Sequence, residues 1–345
     1  MGNSLHGAGR AARLSDRRPP AAEVEPVTPT PTPTLGASDS LEAAIATPEL
    51  TATQPWKIIF AVKDRLDPAT GRIVDPNWER AWQGAQVAAA DFGIEVVLLP
   101  NDCQTCVEEQ IRAIGALIAQ GEADGLAIGA VDSLALVPVV EKAIAAGIPV
   151  VAIDTPLNSD RLVTTVGFDN FTAGQVMGEW VAGQLPADSS VAILNGPPDH
   201  QNAVERREGF LVGLQAGDLD IVATAEADWM TAPAAEITAA WLARYPELTA
   251  IIAANDRMAL GASQAAQAAG RDDLLITGFD AIDPALAAIA AGQLAATIDQ
   301  RSDLQARLAL QLLLRHLESQ ETFDAFSTLP ETPLVTRESL DIQDK

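Results

Sequence analysis

The sequence predicts an α/β protein built as two doubly wound parallel-sheet lobes. Three observations carry that prediction. From Lys57 onward, short apolar runs alternate with amphipathic segments of helical period. The runs are continuously apolar, as in strands covered on both faces by helices. About ten of them fall in two sets of five over 345 residues, a length beyond what one core usually serves.

The elements follow in chain order. Residues Met1–Pro20 are basic and polar, and Pro26–Thr34 reads PVTPTPTPT, an extended tract that cannot form a core. Residues 1–55 are therefore expected to be a disordered tail or linker, a tether toward an anchor outside this sequence. No apolar N-terminal export signal is visible in it. Strands are expected at Lys57–Val62, Glu95–Leu99, Gly125–Ile128, Pro149–Ile153 and Thr164–Gly167. A second set is expected at Ser190–Leu194, Ile221–Ala225, Ala250–Ala253, Leu274–Gly278 and Ala295–Ile298. After the first strand, Trp78, Ala81, Trp82, Ala85 and Ala89 share one helical face. Trp82 is the expected core indole and Trp78 the one left for a cleft. Gly93, Gly147 and Gly270 each follow an alanine-rich helix and suit its C-terminus. The apolar-faced helix Leu304–Leu317 needs a sheet to cover, and the first lobe is the natural one. The chain then crosses between lobes more than once.

Composition narrows the function. A net charge of -25 argues against a nucleic-acid partner, because phosphate binding needs a basic face. The two cysteines, Cys103 and Cys106, are spaced C-Q-T-C at a helix start, which fits a local disulfide or two reduced thiols. The surroundings of a thioredoxin site are absent. No metal site is expected, since His6, His200 and His316 are scattered and zinc normally takes four ligands.

In open α/β sheets, ligands bind at the carboxyl ends of the strands. Reading those ends gives Asp154, Asp169-Asn170, Asn195-Gly196, Asn255-Asp256 and Gly278-Phe279-Asp280, with Gln300 after Ala295–Ile298. Arg206 stands early in a helical segment, Trp229 in a loop and Trp78 at a helix start. Indoles pack on the flat apolar face of a sugar ring, and carboxylates, amides and guanidinium serve its hydroxyls. The set describes a carbohydrate-binding cleft. Asp169, Asn170 and Asp256 are explained as well by helix capping. Asp154 is followed by Thr155-Pro156 with no helix start, so a turn role competes with ligation there.

The run Ala253-Ala254-Asn255-Asp256-Arg257-Met258-Ala259-Leu260-Gly261 resembles the A-x-N-D-x-M-A-x-G signature of periplasmic sugar-binding proteins of the ribose/galactose type. Gly278-Phe279-Asp280, Leu294–Ile298 with Gln300, Glu205-Arg206 and Ile148–Asp154 are similar to that family too, over nearly everything from Lys57 to Thr336. The resemblance implies a type I periplasmic-binding-protein fold with a three-strand hinge. The implied lobes are residues 56–168 plus 301–328 and residues 169–300 plus 329–345, crossing near Gly167-Phe168, Gln300-Arg301 and Thr328-Leu329. It implies sugar contacts from Asp154, Arg206, Asn255, Asp280 and Gln300, a ring sandwiched by Trp78 and Trp229, and further contacts from Asn202 and His200. Function follows as an expectation: a monomeric extracytoplasmic receptor, periplasmic or at the cell surface, with no cofactor and no catalysis. It would close on a monosaccharide or similar polyol and present it to an ABC transporter permease or membrane-bound receptor.

The chain also departs from the pattern. Ribose binders carry Arg where Thr155 stands, and the first loop, Asp64–Asp75, is longer than usual. The C-x-x-C is atypical. Two other classes compete. The effector core of a LacI-type regulator needs a helix-turn-helix segment before Lys57, where the chain is Pro/Thr-rich. A glycosidase would use two of Asp154, Asp169 and Asp280, but no carboxylate is set apart as a raised-pKa acid. A receptor for a non-sugar polar signalling ligand is a further alternative.

Overall fold

The computed structural model describes residues 50–329 and 333–343; most of the expected tail lies outside them. Residues 50–55, assigned to that tail from sequence, are instead held against the first lobe. Ala52 N donates to Phe92 O (2.8 Å), and Glu318 accepts from Thr53 N (2.8 Å) and the Trp56 indole (2.6 Å). Leu50 and Ala52 pack on the adjoining core, an apolar anchorage that the Pro/Thr composition upstream had masked.

Two six-stranded sheets form the described chain. The first comprises β1 (Lys57–Ala61), β2 (Glu95–Leu99), β3 (Gly125–Ile128), β4 (Val150–Ile153), β5 (Thr164–Gly167) and β11 (Phe326–Thr328), in the order β11-β5-β4-β3-β1-β2, all parallel. The second comprises β6 (Ser190–Asn195), β7 (Asp220–Glu226), β8 (Leu248–Ala253), β9 (Leu275–Thr277), β10 (Ala296–Ile298) and β12 (Leu334–Thr336), in the order β12-β10-β9-β8-β6-β7. Its edge strand β12 runs antiparallel to β10. Sequence had read neither β11 nor β12 as a strand. Each has three residues, only one of them buried, too short for a periodic signal.

Helices cover both faces of the first sheet. On one side α1 (Pro76–Phe92) packs beside α9 (Ser302–Ser319), the late helix expected there. On the other lie α2 (Val107–Gln120) and α3 (Val137–Ala145). Local chemistry fixes α1: Pro76 opens it, Asp75 caps the Asn77 and Trp78 amides, and Gly93 ends it in left-handed backbone (φ 70°). In the second lobe, α4 (Asn170–Gln184) lies against α5 (Gln201–Leu214), and α6 (Thr231–Arg244) against α7 (Asp256–Ala268). Gly174 and Gly178 face Gly209 and Gly213 across the α4–α5 contact. A Cβ on any of these four would overlap backbone of the opposite helix. The helix α8 (Asp283–Ala291) follows β9, and α10 (Arg337–Gln343) ends the described chain.

Three chain segments cross between the sheets: from β5 to α4, from β10 to α9, and from β11 toward β12. The carboxyl ends of the parallel strands therefore meet in one cleft. Among the described residues, no helix is long and apolar enough to cross a membrane.

Candidate functional site

The cleft holds a small cavity walled by residues of both lobes. All eight residues nominated from sequence line it: Trp78, Asp154, Asn202, Arg206, Trp229, Asn255, Asp280 and Gln300. Lys63, Asp75, Asn77 and Gln104 complete the lining and had not been nominated. Lys63 follows β1 by two residues and Gln104 follows β2 by five, so both sit at strand ends where ligands bind. Their longer side chains and the loops between concealed them.

Two indoles mark the cavity, one from each lobe. Each lies on a glycine that directly follows a strand: Trp78 on Gly129 after β3, Trp229 on Gly196 after β6. A Cβ at either glycine would overlap the rigid ring. Trp82 packs at the edge of the first-lobe core, 5.9 Å from Phe60 between ring centroids. His200 does not line the cavity. It is fully buried behind Trp229, and its Nδ1 accepts the indole N–H (2.8 Å). Burial, reinforced by Lys63, pushes the imidazole down to about 3, so it is neutral and able to accept that bond.

Charge is concentrated and paired. Lys63 Nζ donates to Asp154 Oδ2 (2.7 Å) and to Thr155 Oγ1, and it lies 5.5 Å from the Trp78 ring centroid. Lysine thus supplies a cation beside Asp154, next to the position where ribose binders carry Arg. Burial alone would raise the Asp154 carboxyl, but Lys63 and Arg206 outweigh it and hold the group below its usual range. Asn202 Nδ2 reaches the same carboxylate from the other lobe (3.1 Å).

Arg206 is buried at the centre of the second-lobe wall. It donates to Asn170 Oδ1 (2.8 Å), Ala254 O (2.8 Å) and Gln300 Oε1 (3.2 Å), and its guanidinium stacks 3.8 Å from the Phe279 centroid. Asp280 lies 3.6 Å from it and accepts from Gln300 Nε2 (2.6 Å). Burial raises the Asp280 carboxyl against the pull of Arg206, with Asp256 and other nearby carboxylates adding to the rise. Asp154 (φ 65°), Trp229 (φ 62°) and Asp280 (φ 119°) all adopt backbone that L-residues avoid, the kind of strain that gathers at ligand sites.

Asn255 caps α7, accepting from Met258 N (2.9 Å), while its amide donates to Trp229 O (3.3 Å). Asp256, for which the sequence offers helix capping as well as ligation, is not the cap. It is fully buried and accepts from Thr297 Oγ1 (2.7 Å) and Ile282 N (3.0 Å), fastening the loop that carries Asp280. That burial pushes its carboxyl up to about 7. Asp169 does cap α4, and Asn170 steers Arg206.

Two lining amides, Asn77 and Asn202, have buried carbonyl oxygens with no protein partner, acceptors that suit ligand hydroxyls. Among the described residues, no cluster of His, Cys, Asp or Glu is arranged to hold a metal ion.

A family model described as a periplasmic binding protein domain matches residues 71–321. The D-ribose/D-allose-binding protein of Pseudomonas aeruginosa is 35% identical over 67% of this chain and 74% of its own length. The ribose import binding protein RbsB of Bacillus subtilis is 32% identical over 70% of this chain and 79% of its own. An ABC transporter solute-binding protein of Actinobacillus succinogenes, solved with D-allose, superposes with a TM-score of 0.76 at 27% identity, covering 84% of this chain and all of that one. The Caulobacter myo-inositol binding protein superposes with a TM-score of 0.75 at 28% identity, covering 85% of this chain and 97% of that one.

Proposed function

The chain belongs to the periplasmic binding protein family, and from that premise we propose that its cleft binds a single neutral monosaccharide or cyclic polyol. One observation carries the reading: two indoles from opposite lobes face a small cavity whose remaining wall is carboxylate, amide, ammonium and guanidinium. Lys63 is paired with Asp154 and Arg206 lies against Asp280, so neither cation stands free to favour an anionic ligand. The eight sequence-nominated residues act as its contacts, joined by Lys63 and Asn77. The relatives are solute-binding proteins, which favours a receptor over the effector core of a regulator and over an enzyme.

The receptor works as a monomer in the periplasm or at the cell surface. Residues 56–168 plus 301–328 and residues 169–300 plus 329–345 are its moving bodies, and a permease or membrane-bound sensor reads their closed form. Thermal-shift and calorimetric titration against pentoses, hexoses and inositols test the reading. A specific ligand raises the melting temperature in step with the logarithm of its concentration over Kd. Asp280→Asn, which preserves shape, abolishes that shift. A ligand that stabilises this variant and Asn202→Ala as well as the parent binds elsewhere. A ligand consumed during the titration marks an enzyme.

A further inference from the structure

The β2–α2 loop carries the Cys103–Cys106 disulfide, and Gln104, between the two cysteines in sequence, lines the cavity. Gln104 is buried, whereas the flanking Asp102 and Thr105 are exposed and both cysteines are half-buried. Nothing in the sugar reading requires this bond. The loop is tied down further at its base: Asn101 Nδ2 donates to the carbonyls of Cys103 (2.7 Å) and Cys106 (3.0 Å). Gln104 Nε2 then donates to Asp75 Oδ2 (2.6 Å). That carboxylate is a junction. Its other oxygen caps the amides of Asn77 (2.8 Å) and Trp78 (3.3 Å), and Oδ2 also receives Arg257 from the second lobe (3.0 Å). The short loop thus connects a covalent clasp to one cavity amide, to the start of the helix bearing an indole, and to a contact between lobes.

We propose that Gln104 is a ligand-selecting residue of the cleft and that the Cys103–Cys106 bond holds it in the cavity wall, so that ligand affinity depends on the redox state of the pair. This rests on the cleft being the ligand site. A dithiol such as dithiothreitol breaks the S–S bond, leaves two thiols and is itself oxidised to a cyclic disulfide. The freed loop regains backbone freedom, and part of the binding energy then goes to reordering it.

The test is calorimetric titration of the full chain with whichever panel monosaccharide gives the largest thermal shift. It compares the oxidised protein, the dithiothreitol-reduced protein, a Cys103→Ser/Cys106→Ser variant and Gln104→Ala. Reduction and the double serine variant each weaken binding roughly three- to tenfold, the scale of one hydrogen bond. Gln104→Ala does the same, and reducing Gln104→Ala brings little further loss. An unchanged Kd on reduction overturns the proposal. So does an equal loss in Gln104→Ala and the parent, which would mean the bond serves stability alone. Should no monosaccharide bind, the sugar reading falls while this one is still decided by amide exchange. Faster exchange at Asn77 and Trp78 on reduction supports the bond's grip on the wall, and unchanged exchange overturns it.

Discussion

At the scale of single residues, His200 shows how a buried group outside the cavity can govern one inside it. Its imidazole must stay neutral to accept the Trp229 N–H, and burial keeps it so down to about pH 3. The unfolded chain's histidine takes a proton near pH 6.5. Between those values the unfolded state binds more protons, so this group's contribution to stability climbs with pH and is lost toward acid. Asp256, pushed up to about 7, and Asp280 act with the opposite sign: the native state holds their protons where the unfolded state does not. The two trends oppose each other in the parent, so a difference curve is needed. His200→Gln keeps an acceptor for the indole and removes the titrating group. Relative to the parent it gains stability as pH falls from 6.5 toward 4, by up to about 1.4 kcal/mol per pH unit. Urea unfolding at half-unit pH steps measures this, and parallel curves would refute it.

At the scale of elements, the site depends on how closely rings and helices approach backbone. Gly196 directly follows β6 beneath Trp229, and Gly196→Ala forces that ring from its seat. Ligand affinity then falls at least about tenfold, as expected for a displaced stacking partner, and the Trp emission maximum moves. Gly115→Ala, in α2 with open space around its Cβ position, leaves both unchanged. The same elements show what could be read from sequence. Buried strands ending in Asp154, Asn255 and Asp280 were legible, because a parallel strand is a continuous apolar run and its last polar residue stands out. The seats of the indoles were not: Gly129 and Gly196 matter through contacts with residues 51 and 33 positions away, which no local pattern encodes. Asp256 was misread for a related reason. An Asn-Asp pair at a helix start offers two caps, and only the distant Thr297 and Ile282 decide that Asn255 takes the role while Asp256 turns inward.

At the scale of the whole molecule, closure also draws on ion pairs that bridge the lobes at the cavity's edge. Arg257, at the start of α7 in the second lobe, pairs with Asp75 (3.0 Å) and Asp64 (3.5 Å) in the first. Its position in the A-x-N-D-x-M-A-x-G run is one of the three variable ones, so the pattern that located Asn255 was silent about Arg257. Both carboxylates belong to the long first loop, which therefore contributes to closing the molecule. Burial raises Asp64 while Arg257 pulls it down, so the pair weakens once acid protonates that carboxylate. Opening the lobes breaks these pairs but leaves each lobe's half of the cavity intact. Arg257→Ala therefore shifts the equilibrium toward the open form and accelerates ligand release, because dissociation follows opening. Two partly buried ion pairs with one arginine suggest a Kd weaker by roughly three- to thirtyfold, carried mainly by the off-rate. Stopped-flow Trp fluorescence resolves the rates, and small-angle scattering of the ligand-free protein reports a larger radius of gyration for the variant. Arg307→Ala, which removes an ion pair with Asp91 inside the first lobe, changes neither. An unchanged off-rate in Arg257→Ala would show that these two pairs do not hold the lobes closed.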